Sequence, residues 1–115
     1  MAKAAIELKP RVVVAGERAL GPGKADLLEL ISETGSISAA AKRMNMSYSR
    51  AWQLVDVMNH AFKKPLVRTA TGGARGGGAE ITPEGRNVLV LYRRMQGKLE
   101  AEAESYREAF EKLVK

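Results

Sequence analysis

Residues 35–52 read GSISAAAKRMNMSYSRAW, and the fold turns on them. Ser36 carries the short hydroxyl that caps a helix N-terminus and opens a helix over residues 37–44. Asn45 follows, one of the few non-glycine residues that tolerates left-handed backbone. Ser47 caps again, and the next helix is expected to run to about Lys64, where Pro65 stops it. Two helices joined by so short a turn must approach steeply. Ala41 is small enough to permit that approach, Asn45 supplies the positive φ, and Ala40, Met44, Met46, Ala51 and Leu54 lock the pair. In the later helix Trp52, Val55, Met58 and Phe62, with polar Asn59 among them, form the inward stripe. Trp52 therefore reads as core rather than as a stacking platform. Tyr48, Ser49, Arg50 and Gln53 are left off the buried side.

Upstream, Leu27, Leu28, Leu30 and Ile31 define one face of a helix over 24–34 that Gly35 terminates. Val12, Val13 and Val14 predict a short strand within 8–15, and 17–23, with two glycines and a proline, reads as a connection. Downstream, 66–69 and 79–82 are strand-like pieces joined through glycine-rich 70–78, a hairpin pattern. Thr82 caps a last helix with Pro83 at its first position and Glu84 in its first turn. Reaching to about Val114, this helix would be on the order of 45 Å long. Its stripe, Val88, Leu91, Tyr92, Met95, Leu99, Ala103, Tyr106, Phe110 and Leu113, is too long for a compact head to cover. A partner helix is the expected cover, so Leu91, Tyr92, Met95, Leu99, Ala103, Tyr106 and Phe110 are the expected homodimer interface. The spacing drifts at Leu99–Ala103, which favours a short antiparallel or crossed contact over a regular coiled coil. Gly97 marks a bend or a close crossing. The expected class is mainly α with a small β-hairpin wing, a winged helix-turn-helix with a long C-terminal dimerisation helix. Its two parts are a head over 1–85 and the helix over 86–115.

Composition narrows the function. The 115 residues are 45% hydrophobic and 28% charged, as in a globular domain. No apolar run approaches the ~20 residues of a membrane helix, and residues 1–10 lack the apolar centre of an export signal. Without cysteine there are no disulfides or thiolate metal sites, which is compatible with a reducing cytoplasm. The expected location is cytoplasmic and nucleoid-associated. The net charge of +6 is concentrated in 36–86, where Lys42, Arg43, Arg50, Lys63, Lys64, Arg68, Arg75 and Arg86 face only Asp56, Glu80 and Glu84. Such a local excess is the footprint of a polyanion binder. Catalysis finds little support. His60 is the only histidine, no Ser/His/acid set is evident, and the glycine cluster lacks phosphate-loop spacing. No cofactor, metal or small-molecule ligand is expected.

The order helix, helix, helix, strand, tip, strand, helix is that of a winged helix. Its third helix would present N-terminal turns to base edges, and a tip bearing Arg75 would reach phosphates or a minor groove. The candidate DNA-binding residues are Ser36, Ser38 and Lys42, then Ser47, Tyr48, Ser49, Arg50 and Gln53. In the wing they are Arg68, Thr71, Gly73, Arg75, Gly76 and Gly77. Ser47 is mainly a cap, and Tyr48 either contacts DNA or packs beneath the wing. Arg43, Lys63 and Lys64 rank below Arg50 and Arg75. The competing reading is a winged helix that docks on another protein; an exposed apolar patch would mark it, whereas this face is Ser, Tyr, Arg, Gln and Gly.

Gly35-Ser36-Ile37-Ser38, Ala40-Ala41-Lys42, Ser47-Tyr48, Ala51-Trp52, Met58-Asn59, Leu66-Val67-Arg68 and Thr71-Gly72-Gly73 resemble the N-terminal DNA-binding domain of ModE-type molybdate-responsive regulators. Gly76-Gly77-Gly78-Ala79, Thr82, Gly85 and Tyr92 extend the resemblance over about residues 20–100. The wider superfamily includes the DNA-binding head of LysR-type regulators. The resemblance implies a winged helix-turn-helix that dimerises through its long terminal helix and binds palindromic operators. ModE-type regulators continue into molybdate-binding domains, whereas this sequence ends at Lys115, so a head without a sensor is expected.

Overall fold

Capping chemistry sets the helix boundaries of the head. The computed structural model describes the backbone of residues 3–73 and 76–115, and the side chains of these outside 71–77. Its elements are β1 (Val12–Val14), β2 (Glu17–Leu20), α1 (Pro22–Thr34), α2 (Ile37–Arg43), α3 (Tyr48–Ala61), β3 (Val67–Gly73), β4 (Gly76–Ile81) and α4 (Pro83–Glu111). α1 ends at Gly35, whose φ of 69° is left-handed and whose N–H donates to the Ile31 carbonyl. Ser36 Oγ accepts from the Ala39 amide and Ser47 Oγ from the Arg50 amide. Between them Asn45 takes φ 54°, and the Met46 amide reaches back to the Ala41 carbonyl at 3.0 Å. Ala41 is buried, as a steep α2–α3 crossing requires.

The core lies where α1, α2 and α3 meet: Leu27, Leu28 and Ile31, then Ile37 and Ala40, then Ala51, Val55 and Met58. Trp52 is only partly buried against it. Leu66, Val67 and Ala79 close one side. The β3–β4 hairpin is antiparallel, pairing Val67 with Ile81 and Arg68 with Glu80, and its backbone pairing extends to Gly73 and Gly76. This is a winged helix-turn-helix. Among the described residues, no helix is long and apolar enough to cross a membrane.

The base of the wing is the tightest junction. Asn59 Nδ2 donates to the Val67 carbonyl at 3.0 Å, and its Oδ1 accepts from the Leu66 and Val67 amides at 2.8 and 3.1 Å. Thr82 returns the chain: its amide donates to the Leu66 carbonyl at 2.9 Å and its hydroxyl to the Pro65 carbonyl at 2.6 Å. The same hydroxyl caps α4 by accepting from the Gly85 amide. Gly85 presses on the Leu66 carbonyl, which leaves no room for a Cβ.

Five expectations change. Residues 17–23 are not simply a connection: β2 pairs antiparallel with β1 through a tight turn in which Ala15 (φ 51°) and Gly16 (φ 81°) both have positive φ. α1 consequently starts at Pro22. α3 stops at Ala61, short of Lys64, because Phe62 is already extended and Asn59 draws the following chain into β3. The wing strands are longer than their apolar cores, since glycine shows no side-chain alternation. Finally, Tyr92 is not available to a partner. It is 2% exposed, packs in the head and donates its hydroxyl to the Pro10 carbonyl at 2.8 Å.

α4 roots in the head through Leu89, Tyr92 and Arg93, whose guanidinium meets Asp26 at 2.8 Å and Glu29 at 3.4 Å. Its outer turns extend the molecule to 59 Å against 29 and 22 Å in the other directions. The helix passes through Gly97 without a break.

Replacing Gly85 by Ala should lower unfolding stability by about 2–3 kcal/mol through overpacking, read by chemical denaturation. Gly97→Ala is the control. Its Cβ meets nothing within 4 Å, so stability should rise by up to about 1 kcal/mol.

Candidate nucleic-acid interface

The N-terminal turns of α3 stand clear of the core. Ser47, Tyr48, Ser49, Arg50 and Gln53 are all exposed, while Ala51 and Val55 point inward. The alternation follows from about 100° per residue: the face centred on Gln53 and Ser49 lies opposite the buried stripe. Asp56, the sole carboxylate of α3, is shared with His60, whose Nδ1 is 3.3 Å from Asp56 Oδ1.

One flank of α3 faces the wing. Tyr48 and Trp52 line a cleft of about 260 Å³ with Ser36, Ile37 and Ser38 of the α2 start and with Thr69, Ala70, Gly78 and Ala79 of the wing base. The indole N–H of Trp52 donates to the Tyr48 hydroxyl, and the rings meet edge to face with centroids 6.3 Å apart. Tyr48 thus borders the wing while 53% of its surface stays exposed. Gly35 holds the wing to the start of α2, its carbonyl accepting from the Ala79 amide at 2.9 Å. Ser36, Ser38, the α3 start and the wing base therefore share one side of the molecule. Lys42 is exposed on α2.

The wing residues divide. Arg68 is engaged by its cross-strand partner Glu80, with Nη2 at 2.9 Å and Nε at 3.1 Å from the same carboxylate oxygen. A phosphate would have to compete with that carboxylate. Gly73 and Gly76 are register partners at the outer end of the hairpin, and Gly77 lies in β4. The Thr71 side chain and Arg75 lie outside the described residues.

The other flank of α3 holds residues that sequence reasoning did not select. There Asp56, Val57, His60 and Ala61 line a second cleft, of about 440 Å³, against Val14, Ala15, Glu17 and Ala19 of the β1–β2 hairpin. Lys24, at the start of α1, donates from Nζ to the Arg18 carbonyl at 3.0 Å. Burial first, and then the cations Arg50, Arg11 and Arg18, hold the Lys24 ammonium below the ordinary lysine range. Reading 17–23 as a connection concealed this flank; β2 is Glu17-Arg18-Ala19-Leu20, which has no strand propensity of its own, so the only signal was Ala15-Gly16 directly after Val12–Val14.

Comparison with known proteins places these features in context. The pattern of the bacterial regulatory helix-turn-helix proteins, lysR family, matches residues 24–86. The chain is 41% identical over 93 residues to the molybdenum-pterin-binding protein MopB of Rhodobacter capsulatus, covering 81% of this chain and 33% of that protein. It is 42% identical over 71 residues to the DNA-binding transcriptional dual regulator ModE of Escherichia coli K12, covering 62% of this chain and 27% of that one. The chain thus spans about a third or less of the length of these curated relatives. Among solved structures, the DNA-binding domain of CbnR in complex with DNA has a TM-score of 0.59 at 22% identity, over 76% of this chain and 94% of that one. That likeness bears on the fold.

Replacing Arg50 by Gln removes one cation acting on Lys24. The Lys24 pKa should then move up toward its ordinary value, read by NMR titration of the Nζ group. An unchanged titration would mean that burial, with Arg11 and Arg18, depresses it without Arg50.

Proposed function

Since the chain belongs to the lysR family of bacterial regulatory helix-turn-helix proteins, we propose that it is a sequence-specific transcription regulator that binds duplex DNA as a homodimer. In this reading α3 enters the major groove with Ser49, Arg50 and Gln53 toward base edges, and the β3–β4 wing meets the backbone or minor groove. Ser36, Ser38, Lys42 and Ser47 approach phosphates, as do the wing-tip residues Thr71, Gly73, Arg75, Gly76 and Gly77. Arg68 contributes only if phosphate displaces Glu80. The protein works in the cytoplasm, on chromosomal DNA, and carries out no catalytic step.

The observation that carries the proposal is the common side shared by the exposed α3 turns and the wing base, which line one cleft. The exposed α3 surface beside it, Ser47, Ser49, Arg50 and Gln53, is polar and carries a cation, which favours a duplex over a protein partner. DNA-binding relatives such as ModE of Escherichia coli give independent support. Pairing is argued from α4. Leu91 is 69% exposed and forms an apolar surface with Met95 and Leu99, and Tyr106 and Phe110 are exposed farther out. We assign pairing to this face, with Ala103 and without Tyr92.

Selection of bound sequences from a random duplex pool, followed by binding at two salt concentrations, tests the proposal. A sequence-dependent part of the affinity should survive at the higher salt. Affinity that vanishes equally for selected and random duplexes would sink the sequence-specific reading. Arg50→Ala with Gln53→Ala should cut discrimination between selected and random duplexes about tenfold or more, without loss of folding. Leu91→Glu with Leu99→Glu should give monomers in sedimentation and weaken binding to a two-half-site duplex about a hundredfold. Dimers persisting in that variant would place the interface elsewhere.

A further inference from the structure

α3 is flanked by two hairpins, not one. Tyr48, Trp52 and Asn59 project toward the β3–β4 wing, as the cleft and the Asn59 hydrogen bonds record. On the helical wheel Arg50 and Val57 lie about opposite Tyr48 and Trp52, and Val57 meets the β1–β2 hairpin. The exposed strip of Ser49 and Gln53 runs between the two.

Charge on the second flank differs from that around the ion-paired arginines. Arg43, Arg68, Arg93 and Arg107 each contact a carboxylate. Among the described residues none of Arg11, Arg18, Lys24 and Arg50 takes part in an ion pair. Local geometry brings Lys24 and Arg11 to the β1–β2 hairpin. Lys24 Nζ is fixed over β2 by the Arg18 carbonyl, and Arg11 lies across Gly21, where a Cβ would come within 3.2 Å of its guanidinium. The Lys24 amine lies in the field of the other three. Like charges gathered with no carboxylate in direct contact repel one another, Glu17 and Asp56 on the same flank being unpaired with them, and a row of phosphodiesters relieves that repulsion.

We propose that the β1–β2 hairpin is a second wing, on which Arg18 and Lys24, beside Arg50 and backed by Arg11, bind the DNA backbone on the side of α3 away from the β3–β4 hairpin. The inference rests on the DNA-binding reading and deepens it. α3 in the major groove leaves one phosphate ridge on each side. The β3–β4 hairpin and the α2 start meet one ridge, and Arg18 and Lys24 meet the other. These contacts position and strengthen but carry no base information.

The test compares Arg18→Gln with Lys24→Gln against a control of equal charge change, Lys112→Gln with Lys115→Gln, at the far end of the chain. On a mixed-sequence duplex the first pair should flatten the slope of log affinity against log salt by about two for each bound head, so by about four for the homodimer. At low salt it should also weaken binding about tenfold or more, beyond any loss in the control. The preference for selected over random duplex should be unchanged. Arg18→Lys with Lys24→Arg keeps the charges and should bind as the unaltered chain does. If the glutamine variant fails to fold, hydroxyl-radical footprinting of the unaltered protein decides. Backbone protection on both sides of the major-groove contact supports a second wing, and protection on the β3–β4 side alone overturns it. Equal behaviour of the glutamine pair and its control also sinks the inference while leaving the DNA-binding reading intact. No duplex binding by the unaltered chain sinks both. Tight binding of inorganic phosphate, lost in the glutamine pair while duplex affinity stays, would make the cluster a free-oxyanion site and overturn the proposal.

Discussion

The carboxamide of Asn59 hydrogen-bonds to the backbone of Leu66 and Val67 much as a neighbouring strand would, and so fixes the wing to the end of α3. A helix cannot pair with a strand through its own backbone, because its amides and carbonyls are already used within it. Asn59 supplies one donor and one doubly used acceptor from a side chain, which bridges that incompatibility. Thr82 and Gly85 complete the junction from the other side, Thr82 by closing the return strand and Gly85 by letting α4 lie against Leu66. The orientation of the wing relative to α3 follows from this knot of partly buried polar groups. Gly35 pins the wing a second time, at the start of α2.

Legibility in the sequence follows from the range of each interaction. Ser36, Ser47, Thr82, Gly35 and Asn45 act on backbone within a few residues of themselves, so their roles could be read one at a time. Asn59 was visible only as a polar residue on an apolar stripe, because its partners lie seven and eight residues away in another element. The β1–β2 hairpin was hidden for a related reason. Its turn contains Ala15, a residue that rarely accepts positive φ, and the glycines around Pro22 drew attention away from it. Tyr92 illustrates a further limit. Helical period shows that it lies on the apolar side of α4 but not whether that side meets its own head or another copy.

The candidate interface was legible where side chains stand on a regular helix, as with Tyr48, Ser49, Arg50 and Gln53. It was less legible in the wing. Net charge along the sequence marked Arg68 as a free cation, yet the antiparallel register sets Glu80 directly across from it. Conversely, residues 1–35 balance to zero net charge by count, while folding separates the signs. Asp26 and Glu29 go to Arg93 on α4, and Lys24, Arg11 and Arg18 gather beside α3. Pairing and segregation, not composition, decide the local field.

α4 leaves the head as one continuous rod, rooted by Tyr92, Leu89 and the Arg93 ion pairs. From Tyr92 to Phe110 it extends about 27 Å at 1.5 Å per residue. If two copies grip each other through those outer turns, a change of about 10° in their crossing moves one reading head relative to the other by about 5 Å, more than the ~3.4 Å between stacked base pairs. The crossing angle would then act as a vernier on half-site separation. Substitutions far from any nucleotide would retune which operators fit.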